Sequence, residues 1–103
     1  MNDNDFGAYP IHPGELLKDE IECRKISQRK LAESIGMSHT ALNEILNAKR
    51  PISIQTAYLI EAAMDLPAHI LIGMQSRYDI QTMKANKSFL ARLAAVRKIA
   101  AVL

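Results

Sequence analysis

Apolar residues recur at intervals of three and four along nearly the whole chain, and no stretch alternates β-branched with polar residues as a half-buried strand does. The pattern predicts an all-α protein. Pro13 followed by Glu15 marks a helix start, and Leu16, Leu17 and Ile21 give that first helix an inner face that runs to about Arg24. Ser27 is placed to cap a second helix, residues 28–35, that turns Leu31, Ala32 and Ile35 inward. Gly36 supplies the left-handed residue that ends it. Ser38 caps a third helix from His39 to about Leu46, with Leu42, Ile45 and Leu46 on its inner side, and Pro51 forces a loop over residues 47–52. Ser53 caps a fourth helix over residues 54–64, and Pro67 opens a fifth from Ala68 to about Tyr78. A last helix, residues 86–102, repeats apolar positions at Phe89, Leu93, Val96, Ala100 and Leu103.

This organisation reads as an N-terminal arm (residues 1–12), a five-helix domain (13–79) and a helical extension (80–103) that belongs to the same compact unit. With 103 residues the chain is one domain long. A chain this short buries only roughly 60–70% of its unfolded surface, so self-association or a partner adds appreciably to stability. No apolar run approaches the ~20 residues of a membrane span, and MNDNDFGAYP lacks the basic-then-apolar order of a secretion signal, so the expected location is the cytoplasm. The single cysteine, Cys23, excludes an internal disulfide and reads as a packing residue of the first helix. His12, His39 and His69 fall in separate elements. His12 and Glu15 have ligand-like spacing, but the Pro-Gly between them suits a helix start better than a metal. No glycine-rich phosphate loop or activated nucleophile is present, so no enzyme activity, metal or cofactor is expected.

The net charge of +2 conceals a segregation. Residues 1–23 carry six acids and one base, residues 24–50 six bases and two acids, and residues 51–79 three acids and one base. Residues 80–103 carry five bases and no acid. A compact basic segment between acidic ones suits a phosphate backbone, because the facing patch sets the field rather than the global total.

Residues 28–47 have the length and internal spacing of a helix-turn-helix unit: Ala32 is small where two helices cross, Gly36 makes the turn, and Leu31, Ile35, Met37, Leu42 and Ile45 fix the crossing. The outer face of the third helix then follows from its period. His39, Thr40, Asn43, Glu44 and Asn47 point away from the core, where amides and hydroxyls of this size reach base edges in a major groove. Glu44 suits a cytosine amine or needs a neighbouring lysine to balance its charge. Arg24, Lys25, Arg29 and Lys30 on one side and Lys49 and Arg50 on the other are candidate phosphate contacts. Gln28 opens the second helix where main-chain N–H groups already favour a phosphate.

The segment SQRKLAESIGMSHTALNEILNAKRPIS resembles the helix-turn-helix of phage-repressor-type (XRE) regulators. IHPGELLKDEIE before it, with TAYLIEA and LIGMQSRYDI after it, narrows the resemblance to the HigA/VapI-like antitoxins, over residues 11–80. The resemblance implies a five-helix phage-repressor-like domain with an additional C-terminal helix. It also implies a homodimer that binds double-stranded operator DNA, represses its own operon and neutralises a HigB-like RNase toxin of a type II toxin-antitoxin module. Gln28, Ser38, His39, Thr40 and Asn43 match the family positions that touch operator DNA, and Lys49 and Arg50 those that touch phosphates. Two departures stand out. Ala48 occupies the glycine position of the usual Asn-Gly-Lys/Arg-Arg loop; because a left-handed non-glycine residue costs roughly 1 kcal/mol, Asn47 is expected to take that conformation instead. The tryptophan and asparagine that usually precede the Leu-Gln of helix five are replaced, and Gly73 within that helix costs about 1 kcal/mol relative to alanine unless another helix packs closely on it.

Two alternatives fit the same residues. One is a free-standing phage-type repressor with no toxin. The other is a protein-interaction module with weak DNA binding, in which Lys84, Lys87, Arg92, Arg97 and Lys98 meet an acidic partner.

Overall fold

The computed structural model describes residues 10–103, which hold six helices and no strand. They are α1 (Pro13–Cys23), α2 (Gln28–Ser34), α3 (His39–Leu46), α4 (Ile54–Met64), α5 (Ala68–Lys84) and α6 (Lys87–Ala100). Of the expected N-terminal arm, residues 1–9 lie outside the described residues.

The three serine caps form as expected. Ser27, Ser38 and Ser53 each accept a main-chain N–H three residues on, from Lys30 at 3.2 Å, Ala41 at 3.0 Å and Thr56 at 3.1 Å, a bond typically worth ~1 kcal/mol. Asn86 caps α6 in the same way through Phe89, at 2.9 Å. The start of α1 adds a cap that the sequence reading missed. Buried His12 accepts the Gly14 N–H on its Nδ1 at 2.9 Å, so the imidazole belongs to the helix start rather than to a ligand site.

Helices α1, α2 and α3 end alike. In each, a left-handed residue (Lys25, Gly36, Ala48) follows the C-cap, and the next N–H reaches back to close a Schellman motif: Ile26 to Ile21, Met37 to Ala32 and Lys49 to Glu44. Gly36 takes the turn foreseen for it, with φ +70°. The expectation for Asn47 is corrected, because Ala48 itself is left-handed (φ 60°) while Asn47 keeps φ −101°. Asn47 is held there by its own side chain, whose amide donates to the Asn43 carbonyl at 2.8 Å. The strain of a Cβ at Ala48, ~1–2 kcal/mol, outweighs the ~0.4–1 kcal/mol that glycine costs through a freer unfolded chain. Ala48→Gly is therefore expected to stabilise the protein by about 0.5–1 kcal/mol, measured as a rise of a few degrees in thermal unfolding.

Residues Ile11–Ser76 pack as one unit, with Arg77–Leu103 in another. The core of the first draws on α1 to α4 and the first turns of α5: Leu17, Leu42, Ile45, Leu46, Ile60 and Leu71 are almost wholly enclosed, each worth about 1.5–3 kcal/mol of burial. Leu16 and Met37, expected inside, are only partly buried, and Cys23 is exposed rather than packed. Helix α3 packs against both α1 and α2. At the α1 contact Gly14 is indispensable: a Cβ there would collide with the Ile45 carbonyl oxygen and lie 2.8 Å from its carbon.

Two expectations about the C-terminal part are revised. Helix α5 continues to Lys84 instead of stopping near Tyr78, since no proline or glycine interrupts residues 74–84. The extension is not part of the first unit, and α6 buries none of its residues. Gly73 meets nothing within 4 Å of an added Cβ, so no neighbour in the described chain supplies the close packing that would offset its cost.

Candidate nucleic-acid interface

Burial of Leu42, Ile45 and Leu46 fixes the rotation of α3 and leaves its other side outward. His39, Thr40, Asn43 and Asn47 are exposed, and Glu44 is half-buried. Ser38, also exposed, spends an oxygen lone pair on the Ala41 N–H and keeps its hydroxyl donor.

A chain of amides ties the two helices of the motif together. The Asn47 amide donates to Asn43 Oδ1 at 3.2 Å, and the Asn43 amide donates to Gln28 Oε1 at 3.4 Å. The structure thus joins the first residue of α2 to the outer face of α3, which sequence spacing alone did not show. Glu44 finds its cation in Arg50, whose Nη2 lies 3.3 Å from Oε1, rather than in a lysine. The bond ties the loop after α3 to the helix.

The basic residues differ in what they touch. Lys25, Arg29, Lys30, Lys49 and Arg50 are exposed at the ends of α1 to α3 and in the following loop. Arg24 is bound to its own fold: Nε meets Glu20 Oε2 at 2.9 Å and Nη1 donates to the Met64 carbonyl at 2.6 Å, bracing the end of α1 against the end of α4. The sequence signal at Arg24 was charge alone, which does not distinguish a phosphate contact from a structural brace.

Another residue that supports this surface was missed. Gln75 of α5 is buried and accepts the Ile52 N–H at 2.9 Å, fixing the loop that carries Lys49 and Arg50. It falls within the LIGMQSRYDI segment, where spacing gave it no individual meaning.

The helix-turn-helix family model matches residues 17–71, more than half of the chain. The chain belongs to the phage-repressor-type (XRE) helix-turn-helix family. Within this family it is 31% identical over 78 residues to virulence-associated protein I of Dichelobacter nodosus, covering 75% of the chain and 72% of the relative. It spans 63% of the length of virulence-associated protein A′ of the same organism. Its helix-turn-helix fold is similar to that of the Pseudomonas aeruginosa antitoxin HigA solved with the higBA promoter, with TM-score 0.71, 33% identity and coverage of 80% of this chain and 91% of that one. It is also similar to PA4674 of Pseudomonas aeruginosa in complex with its operator DNA (TM-score 0.70, 35% identity, 75% and 86% covered). The chain therefore has the helix-turn-helix fold of the HigA-like antitoxins, and no helix among its described residues is long and apolar enough to cross a membrane.

Proposed function

We propose that this protein is the antitoxin of a type II toxin-antitoxin module: a homodimer that binds its own operator, represses its operon and neutralises a HigB-like RNase toxin. One observation carries the DNA-binding part. The outer face of α3 is polar, is linked by hydrogen bonds to Gln28, and belongs to a fold shared with the HigA antitoxin solved with its promoter. In this reading α3 enters the major groove, with Ser38, His39, Thr40, Asn43, Glu44 and Asn47 toward base edges and Gln28 alongside them. Lys25, Arg29, Lys30, Lys49 and Arg50 lie toward phosphates, and Arg24 contributes by holding the end of α1. Two copies read half-sites about one helical turn apart.

Asn43→Ala tests the assignment. Loss of a paired base contact is expected to cost about 1–3 kcal/mol, roughly 5–150-fold in affinity, and to relax preference at one operator position. Quantitative footprinting on a panel of operator variants reads this. Equal weakening on every sequence would assign Asn43 to backbone positioning instead. For the toxin, co-expression with the product of the adjacent reading frame is expected to restore growth and yield a co-purifying complex. Failure of both would leave a free-standing repressor.

A further inference from the structure

Helix α6 contributes no buried residue. Its apolar positions nevertheless form a stripe, with Phe89, Leu93, Val96 and Ala100 recurring at the helical period. Among the described residues, the first half of this stripe lines a groove with the end of α5. Ile80, Met83 and Lys84 at the end of α5 meet Phe89, Leu90 and Leu93 across a groove of about 210 Å³. Its walls are poorly covered: Ile80, Met83 and Leu90 are 51%, 45% and 44% exposed, and Val96 farther along is 53% exposed. The groove lies wholly within the unit that contains Arg77–Leu103, and beyond the residues matched by the family model.

Charge narrows what can fill it. Residues 80–103 carry Lys84, Lys87, Arg92, Arg97 and Lys98 and no acid. From the helical period, Arg92 and Arg97 flank the apolar stripe on either side, while Lys87 and Lys98 lie opposite it, three turns apart. The result is an apolar floor with Lys84 in one wall and, along α6, only cationic charges at its rims. A second copy of the same segment would bring like charges together at close range. A nucleic-acid backbone would satisfy the rims but leave the apolar floor wet, and a bilayer surface does not enter a concave groove. An amphipathic helix with leucine-like residues on one side and carboxylates along its flanks satisfies both.

We infer that the α5–α6 groove is a docking site for an acidic amphipathic helix of another protein, built from residues other than those of the α3 face. The test uses the full chain and a labelled synthetic helix of about 18 residues, with Leu on one face and Glu elsewhere, followed by fluorescence anisotropy. Binding is expected to weaken at least tenfold when Lys replaces Glu in the peptide and to weaken as salt rises from about 50 to 300 mM. Leu90→Asp, at an exposed position, and the double variant Arg92→Glu with Arg97→Glu are each expected to lower peptide affinity at least tenfold while operator binding stays unchanged. Equal binding of the Lys peptide would overturn the proposal. So would tighter binding to phosphatidylglycerol vesicles or to non-operator duplex that is lost in the same variants, or a dimer in sedimentation that Leu90→Asp dissociates.

Discussion

Gly14→Ala is expected to lower stability by about 3 kcal/mol, at the upper end of the usual cost of overpacking. The new methyl group meets the Ile45 carbonyl, part of the α3 backbone, so it cannot be accommodated by turning a side chain. Either α1 backs away and loses the enclosed contacts of Leu17 and Ile21, or α3 shifts and carries its outer face with it. For a domain of this size the change corresponds to a fall of roughly 10–20 °C in melting temperature, read by circular dichroism. Lys18→Ala, at an exposed position of the same helix, is the control and is expected to stay within about 0.5 kcal/mol. Unchanged melting in Gly14→Ala would mean that α1 and α3 are not in the contact described.

The second large effect is electrostatic. If each protomer of the proposed dimer places three to five of Lys25, Arg29, Lys30, Lys49 and Arg50 on phosphates, the complex neutralises roughly six to ten charges. Operator affinity should then fall about 10³–10⁵-fold between 50 and 200 mM salt. A titration of Kd against salt concentration measures the slope directly, and a nearly flat profile would exclude this mode of binding. Lys49→Ala should make the slope shallower by about two for the dimer, one counterion per protomer. Arg50→Ala distinguishes two roles for that residue. A shallower slope marks a phosphate contact, whereas an unchanged slope with weaker binding marks a guanidinium whose main work is to balance Glu44.

Much of this architecture was legible because it rests on local chemistry. Ser27, Ser38 and Ser53 stand immediately before apolar periods, and each side chain satisfies a nearby N–H that no helix of any sequence can satisfy internally. The outer face of α3 was legible for a related reason: once Leu42, Ile45 and Leu46 are assigned to the core, a rigid period leaves no choice for Asn43. What escaped depends on partners distant in sequence. Gly14 is fixed by Ile45, Gln75 by Ile52 and Arg24 by Met64, and nothing in the neighbouring residues announces those pairings. Ala48 escaped for an energetic reason. Propensity favours asparagine in the left-handed position, but the Schellman bonds of Ala48 to Ile45 and Lys49 to Glu44, with the Asn47 side chain anchored on Asn43, favour the neighbour. The end of α5 escaped because a helix that meets no breaker simply continues, and polar residues such as Ser76 and Asp79 do not stop it.

The direction of the amide chain across α2 and α3 has a consequence for sequence choice. A carboxamide can be rotated end for end with little change of shape, which would ordinarily leave its donor and acceptor interchangeable. Here the Asn43 main-chain carbonyl anchors the nitrogen of Asn47, and that single unambiguous acceptor sets the polarity of every link after it. Hydrogens therefore run from Asn47 through Asn43 toward Gln28, and the chain terminates in an amino group. In the proposed DNA complex such a terminus favours an acceptor (guanine O6 or N7, adenine N7, thymine O4 or a phosphate oxygen) over the exocyclic amines of adenine and cytosine, a polarity set by the protein before any duplex arrives.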